Sequence, residues 1–345
     1  MSLMRCLTDK DYKLFQSLAV LGQEGLKKTL AQYVKNRYGE NKVLVKKEYI
    51  YAVGDIPIAL VAHMDTVFKT QPQPQNIFYD KEKCVMWSPE GLGADDRAGV
   101  FAIIKILQAG LRPTVIFTTD EEIGAVGAEK LIIDVPKPYT DLKYIIQLDR
   151  RGSNDCVFYD CDNPIFTEYV ESFGFAENWG SFSDISVICP IWGVAGVNLS
   201  IGYNDEHSVS ETLNTTHMLQ TISKVKKMLQ VEDIPAFEYI PAVYRYGKGF
   251  SKLYGYAGWD DWSWNEDYKC EKCGKKFSEY EVLPIISKTA PHKTVYYCGD
   301  CCVSGIDWCV ECNEGFEVDE NSTPHICPRC TSKNNEEVGE EHSGK

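Results

Sequence analysis

Apolar residues recur at helical spacing between residues 8 and 38, at Leu14, Leu18, Leu21, Leu26, Leu30, Tyr33 and Val34, and Gly39 offers a stop. The pattern then changes. Residues 43–53 and 56–62, "VLVKKEYIYAV" and "IPIALVA", read as strands, and a Pro- and Gln-rich loop follows at 70–76. "GLGADDRAG" opens an apolar helix, "VFAIIKILQAG", which Pro113 ends. "TVIFTTD" and "YIIQLD" are apolar runs of buried-strand length, 124–133 reads as a short helix, and 164–173 and 214–230 look helical. Strands that alternate with helices and are apolar on both faces predict an α/β domain, a mostly parallel central sheet flanked by helices.

The character shifts near residue 232. We read 1–235 as one compact domain, 236–268 as a connector rich in Tyr, Trp and Gly, 269–331 as a small cysteine-rich region and 332–345 as a polar, disordered tail. The formal net charge is −14, and residues 259–345 contribute −9 of it, with 18 acidic against 9 basic residues. That balance argues against nucleic acid as a partner. No run is apolar for the length of a bilayer and no secretory signal is visible, so the expected location is cytoplasmic.

Fourteen cysteines divide unevenly. Cys6, Cys84, Cys156, Cys161 and Cys189 are scattered without ligand-like pairing and read as buried free thiols. The other nine lie between Cys270 and Cys330, mostly as Cys-x-x-Cys pairs, which is metal-site spacing. Cys270, Cys273, Cys298 and Cys301 form one four-thiolate set; Cys309, Cys312, Cys327 and Cys330 form a second. Both resemble zinc ribbons with one structural Zn2+ each. The sets could interleave, Cys302 could replace Cys301, and His292 or His325 could substitute. Fold stabilisation, self-association or a protein partner are the uses this acidic region suggests.

Sheets of this class place reactive side chains beyond the carboxyl ends of their strands. After "IPIALVA" come His63, Met64 and Asp65; before the long apolar helix come Asp95 and Asp96; after "VIFTT" come Asp120, Glu121 and Glu122; "YIIQL" ends in Asp149; and "GYNDEHSVSE" supplies His207. Singly, each has a bland reading. Asp95 or Asp96 could cap a helix, and the adjacent glutamates could serve a helix dipole. Ligand-type residues at four successive strand ends and a later loop make coincidence a poor account, and imidazoles with carboxylates suit zinc.

The ordered motifs "AHMDTV", "GADDRAG", "TDEEIG", "LD" and "EHSVSE", spanning about residues 55–215, resemble those of the co-catalytic dizinc exopeptidases, a group that includes leucyl aminopeptidases, peptidase T and related amidohydrolases. The resemblance implies that His63 binds one metal and Asp65 orients its imidazole, that Asp95 bridges two metals, that Glu121 is the general base and Glu122 a ligand, and that Asp149 and His207 complete the set. It also implies a cis peptide between Asp95 and Asp96. The chemistry is consistent: Asp65 can fix the tautomer of His63. Five ligands for two ions (His63, Asp95 and Asp149; Asp95, Glu122 and His207) leave open positions for water and a peptide.

Only 31 residues separate His63 from Asp95, and 57 separate Asp149 from His207, too few for the inserted domains of lidded relatives. A free N-terminus is therefore the expected point of attack, with an aminopeptidase ahead of an N-acyl amino acid amidohydrolase. A third reading is a zinc-ribbon adaptor whose hydrolase-like domain is inactive. Arg150 and Arg151 read as a solvated or structural pair ahead of an anion clamp, Trp179, Phe182 and Trp192 as pocket lining or core, and Ser183 and Asp184 as a near-site loop. Asp120 has no assigned role.

Overall fold

The structure, a computed structural model, describes residues 6–242, 268–277, 282–287, 294–298, 306–309, 315–317 and 327–328. The connector from 243 to 267, the tail, Cys301, Cys302, Cys312, Cys330, His292 and His325 lie outside the described residues. The chain divides into two compact units, residues 1–246 and 247–345.

The first unit opens with α1 (Asp9–Ala19) and α2 (Gln23–Tyr38), then β1 (Val43–Val45), β2 (Tyr49–Ala52), β3 (Ile56–His63), β4 (Phe78–Asp80) and β5 (Val85–Trp87). It continues through α3 (Ala94–Gln108), β6 (Pro113–Thr118), α4 (Val126–Asp134), β7 (Tyr144–Arg150), β8 (Asp155–Val157), α5 (Pro164–Glu171) and β9 (Ala176–Glu177). It closes with α6 (Asp184–Trp192), β10 (Gly196–Ser200), β11 (Tyr203–Asn204), β12 (Thr212–Asn214) and α7 (Thr215–Met228). An eight-stranded sheet runs in the order β1-β2-β6-β3-β7-β10-β8-β9. Its centre, β6-β3-β7-β10, is parallel, while β1, β2 and β8 join it antiparallel. A second sheet, β11-β12-β5-β4, ties the segment between His63 and Asp95 to the segment that follows β10.

Strand alternation explains the continuous apolar runs. Leu60, Ala62, Val115, Phe117 and Ile146 enter one core with Phe15, Leu26, Leu30, Phe101, Phe166 and Ile222 of α1, α2, α3, α5 and α7. Their neighbours Ala59, Val61, Ile116 and Ile145 enter another with Ala128, Leu131, Ile185 and Ile188 of α4 and α6. Both faces are covered, so neither set of positions can be polar. Buried polar residues in these strands include Thr114 near the start of β6 and, further along the strands, Thr118, Gln147, Asn198 and Ser200. Among the described residues, no helix is long and apolar enough to cross a membrane.

Several expectations change. The helical run 8–38 breaks into α1 and α2 at Leu21 and Gly22, which frees the Leu21 carbonyl to accept the Arg97 guanidinium at 2.9 Å. Residues 43–53 form a hairpin, because Lys46, Lys47 and Glu48 put charge where a continuous strand would bury it. Helix α3 ends at Ala109 and Gly110, and Pro113 instead begins β6. Helix α6 and strand β10 carry no sequence expectation: Pro190 interrupts the helical pattern of the first, and the second is only five residues long. Cys156, Cys161 and Cys189 are buried and outside any disulfide, as expected. Cys6 and Cys84 are not free thiols; the fold brings these positions, 78 residues apart, into a disulfide.

The second unit holds a hairpin of β13 (Tyr268–Lys269) and β14 (Lys276–Phe277), and a sheet of β15 (Val282–Ile286), β16 (Thr294–Cys298), β17 (Ile306–Trp308) and β18 (Gly315–Glu317) in the order β16-β15-β18-β17. Cys309 and Cys327 share a small buried cluster with Ile286 and Phe316.

Two glycines test the packing. A Cβ on Gly99 would lie 2.3 Å from the Leu148 carbonyl oxygen and 2.5 Å from the Asp96 carboxylate, whereas one on Gly25 meets nothing nearer than Leu21 at 3.5 Å. Gly99→Ala is expected to lose about 1–3 kcal/mol to overpacking. Gly25→Ala is expected to gain up to about 1 kcal/mol of helix stability. Urea unfolding of both variants checks the opposite signs.

Candidate metal centre

The residues singled out from strand ends converge. His63 closes β3, with Nδ1 3.2 Å from Asp65 Oδ1 and Nε2 3.1 Å from Asp95 Oδ1 and 3.5 Å from Asp149 Oδ1. His207, on the loop between β11 and β12, has Nε2 2.9 Å from Glu122 Oε2 and 3.1 Å from Asp95 Oδ2. The two oxygens of Asp95 thus face different histidines. Two groups able to hold an ion result, His63–Asp95–Asp149 and Asp95–Glu122–His207, with Asp95 common to both.

The surrounding hydrogen bonds aim these side chains. Asp65 accepts the amides of Glu121 and Glu122, each at 3.1 Å, while facing His63, so one carboxylate sets both the imidazole and the turn after β6. Asp149 accepts Gln147 Nε2, Ser183 Oγ and the Tyr203 hydroxyl at 2.9–3.1 Å. Its backbone is gripped by Asn198, which accepts the Asp149 amide and donates to its carbonyl. Glu211, fully buried, accepts the Ala94 and Asp95 amides, each at 3.0 Å. The peptide joining Asp95 to Asp96 is cis. Asp96 accepts from the His63 and Gly99 amides. The buried Arg97 donates to the carbonyls of Met64, Asp65 and Leu21, which fixes the turn after β3.

Burial sets the electrostatics. It pushes Glu121 up to about 9, with Asp149, Asp184 and Asp95 adding to the rise against His63. Glu122 is raised to about 7, first by burial and then by Asp95. Asp184 is also raised to about 7 by burial, opposed by the Thr118 hydroxyl it accepts at 2.5 Å. His207 is lifted to about 9 by its bond to Asp95. For His63, burial works downward, yet Asp149, Asp65 and Asp95 hold it well above the ordinary value.

The donors suit a pair of divalent ions. Separations of 2.9–3.5 Å match the edge of a tetrahedron with bonds near 2.0–2.1 Å, about 3.3 Å. Glu122 Oε1 is buried and has no hydrogen-bond partner. Among the described residues, Asp95, Asp149 and Glu122 form ion pairs with histidines and with no Lys or Arg. The cavity of about 520 Å3 lined by Tyr33, Arg37 and Arg112 lies toward the amino end of β6, away from this chemistry.

The other flagged residues separate. Asp120 exchanges two hydrogen bonds with Gln23 of α2, at 3.0 and 3.1 Å, which is structural work. Arg150 donates to the Trp179 carbonyl at 2.9 Å, and Arg151 pairs with Glu206 at 3.0 Å. Trp192 is core, donating to the Val135 carbonyl, while Trp179 is 78% and Phe182 49% exposed. Glu211, Arg97 and Tyr203 were missed, although "EHSVSE" and "GADDRAG" contain the first two. A charged residue with no role inside a ligand motif was the available signal.

A largely parallel sheet flanked by helices carries this site beyond the ends of its central strands, an α/β architecture whose likeness to solved structures is one of fold. No protein-family model matches the sequence, and no curated protein matches it either. Among solved structures the chain is similar to a tripeptidase from Staphylococcus aureus, at 13% identity over 66% of this chain and 99% of that chain, with a TM-score of 0.50. It is also similar to an aminopeptidase from the archaeon Desulfurococcus kamchatkensis (14% identity, 64% and 95% covered, TM-score 0.49) and one from Bacillus cereus (14%, 63% and 96%, TM-score 0.47). At these identities the likeness is one of fold.

The cluster's protons have a consequence for stability. Glu121, Glu122, Asp184, Glu211, His63 and His207 all bind protons more tightly folded than unfolded. Their contributions are complete below the unfolded values and lost as pH rises through the folded ones. Asp65 and Asp95 are lowered, so their contribution is present above the unfolded value and is lost only as pH falls through the folded one, outside this pH range. Metal-free protein is therefore expected to melt roughly 5–10 °C lower at pH 9 than at pH 5. Zn2+ should abolish the difference, and calorimetry with and without chelator checks it.

Proposed function

We propose that the chain is a dizinc metallo-exopeptidase, and specifically an aminopeptidase acting on free N-termini. The observation that supports it most is Asp95 offering one oxygen to each of two His–carboxylate groups, with Glu121 close by and in neither. His63, Asp95 and Asp149 would hold one ion, and Asp95, Glu122 and His207 the other. When bound, such a pair polarises a carbonyl and lowers the pKa of water.

Glu121 is the base of this reading. Its carboxyl accepts the proton of the attacking water and returns it to the departing amine. Asp65 fixes Glu121 by accepting its amide. The segment between Asp149 and His207 is taken up by β8, α5, β9, α6, β10 and β11, which leaves no inserted lid to bind a substrate carboxylate and favours recognition of the amino end.

The cysteine-rich unit is proposed to hold two structural zinc ions and to serve a protein partner or a second copy of the chain. Around Cys270 and Cys273 the backbone makes a tight turn, with the Gly274 amide on the Cys270 carbonyl at 2.8 Å. The Glu271 amide bonds the Tyr296 carbonyl at 2.8 Å, alongside the strand ending in Cys298, which supports the first pairing. The joint burial of Cys309 and Cys327 supports the second.

Glu121→Gln is expected to keep its metal and lose at least about 100-fold in kcat. Unchanged turnover refutes the assigned role. Elemental analysis is expected to find about four zinc ions per chain, two removable by chelator. A peptide library read by mass spectrometry should show loss of N-terminal residues; cleavage confined to N-acylated substrates would instead identify a deacylase.

A further inference from the structure

The two halves of the metal centre are held in different ways. His63 is buried on the end of β3, and Asp149 is gripped by Gln147, Ser183, Asn198 and Tyr203. His207 sits on an outer loop, its side chain 53% exposed and its backbone in the left-handed region (φ 62°), as is that of Asp205 (φ 56°). The remaining hydrogen bonds of this loop turn inward on it: Ser208 Oγ donates to the Asp205 carbonyl, and the Glu211 amide to the Ser208 carbonyl. Among the described residues, the side-chain hydrogen bonds and ion pairs that leave residues 205–210 are His207 toward Asp95 and Glu122, and Glu206 toward Arg151.

Arg151 stands on a fixed base. Its carbonyl accepts Ser200 Oγ at 2.6 Å, and the next amide, Gly152, donates to the Tyr203 carbonyl at 2.8 Å. Its guanidinium meets Glu206 Oε1 at 3.0 Å, one residue before His207. The other Glu206 oxygen is buried with no partner, so this ion pair is the carboxylate's sole polar anchor among the described residues. The pair connects the strand end bearing Asp149 to the loop bearing His207. An anchor at the loop's far end is Glu211, bonded to the Ala94 and Asp95 amides.

We propose that Arg151 is a positioning residue for the second half-site: through Glu206 it holds the loop so that His207 faces Asp95 and Glu122. The inference rests on the dizinc reading above. It explains one of the paired arginines by a task that neither an anion clamp nor a solvated surface pair would perform. Such a half-exposed pair contributes little to global stability, so its effect belongs in metal affinity. Residues that orient ligands typically change that affinity by about 10–100-fold, and partial exposure puts this pair near the lower end.

The test is Zn2+ competition against a chromogenic chelator in the full chain, with melting of the metal-free protein measured in parallel. Arg151→Met and Glu206→Gln are each expected to weaken one of the two labile ions about tenfold and leave the other, and metal-free melting, unchanged. The reversed pair, Arg151→Glu with Glu206→Arg, is expected to recover most of the loss, as a direct coupling requires. Single variants with wild-type affinity for both ions overturn the proposal. So does a double variant no better than either single, or a loss fully matched by lower metal-free melting. Absence of any labile ion in the wild type would overturn the dizinc reading itself, a result distinct from failure of the latch.

Discussion

Too many carboxylates share too little water at one place in this protein. Asp95, Asp96, Asp149, Asp184 and Glu211 are buried or nearly so, Glu121 and Glu122 stand beside them, and two imidazoles are the cationic side chains that touch the central group. Isolated charges in such surroundings are costly, so each must be neutralised or hydrogen-bonded. The fold answers with backbone amides, two each for Asp65, Asp96 and Glu211. Asp95, Asp149 and Glu122 are left turned toward a common space between histidines. That residual demand for positive charge gives the site its character.

Rigidity is distributed to match. The central strands β6, β3, β7 and β10 are packed on both faces, so the residues at their carboxyl ends inherit the order of the core. Arg97 extends that order outward by drawing together carbonyls from the break between α1 and α2 and from the turn after β3. His207 lies beyond the sheet's reach and needs its own supports. One acidic residue on each side of it, Glu206 and Glu211, supplies an anchor to a different part of the frame.

Part of the candidate site was legible because its members follow apolar runs whose ends are easy to see: His63 after "IPIALVA", Glu121 and Glu122 after "VIFTT", Asp149 at the end of "YIIQL". The supporting residues were not. Glu211, Arg97 and Tyr203 act through partners more than 30 residues away, whereas Ser183, read as part of a near-site loop, does reach Asp149, from the N-cap of α6. The second unit shows the same asymmetry: cysteine spacing carries only an expectation of metal binding, while the turn at Gly274 and the strand pairings come from backbone contacts that spacing does not encode.

By itself, then, the sequence determined the alternation of strands and helices, the burial of the sheet on both faces, and the identity of the groups at its carboxyl edge. Periodicity and residue chemistry are local properties, readable in order along the chain. Tertiary structure alone decided where α1 ends, that residues 43–53 fold back as a hairpin, and that Cys6 meets Cys84. It also separated the jobs of like residues: Asp120 went to Gln23, Arg150 to a backbone carbonyl and Arg151 to Glu206. A side chain's role depends on what stands opposite it, and only the packed chain supplies the opposite side.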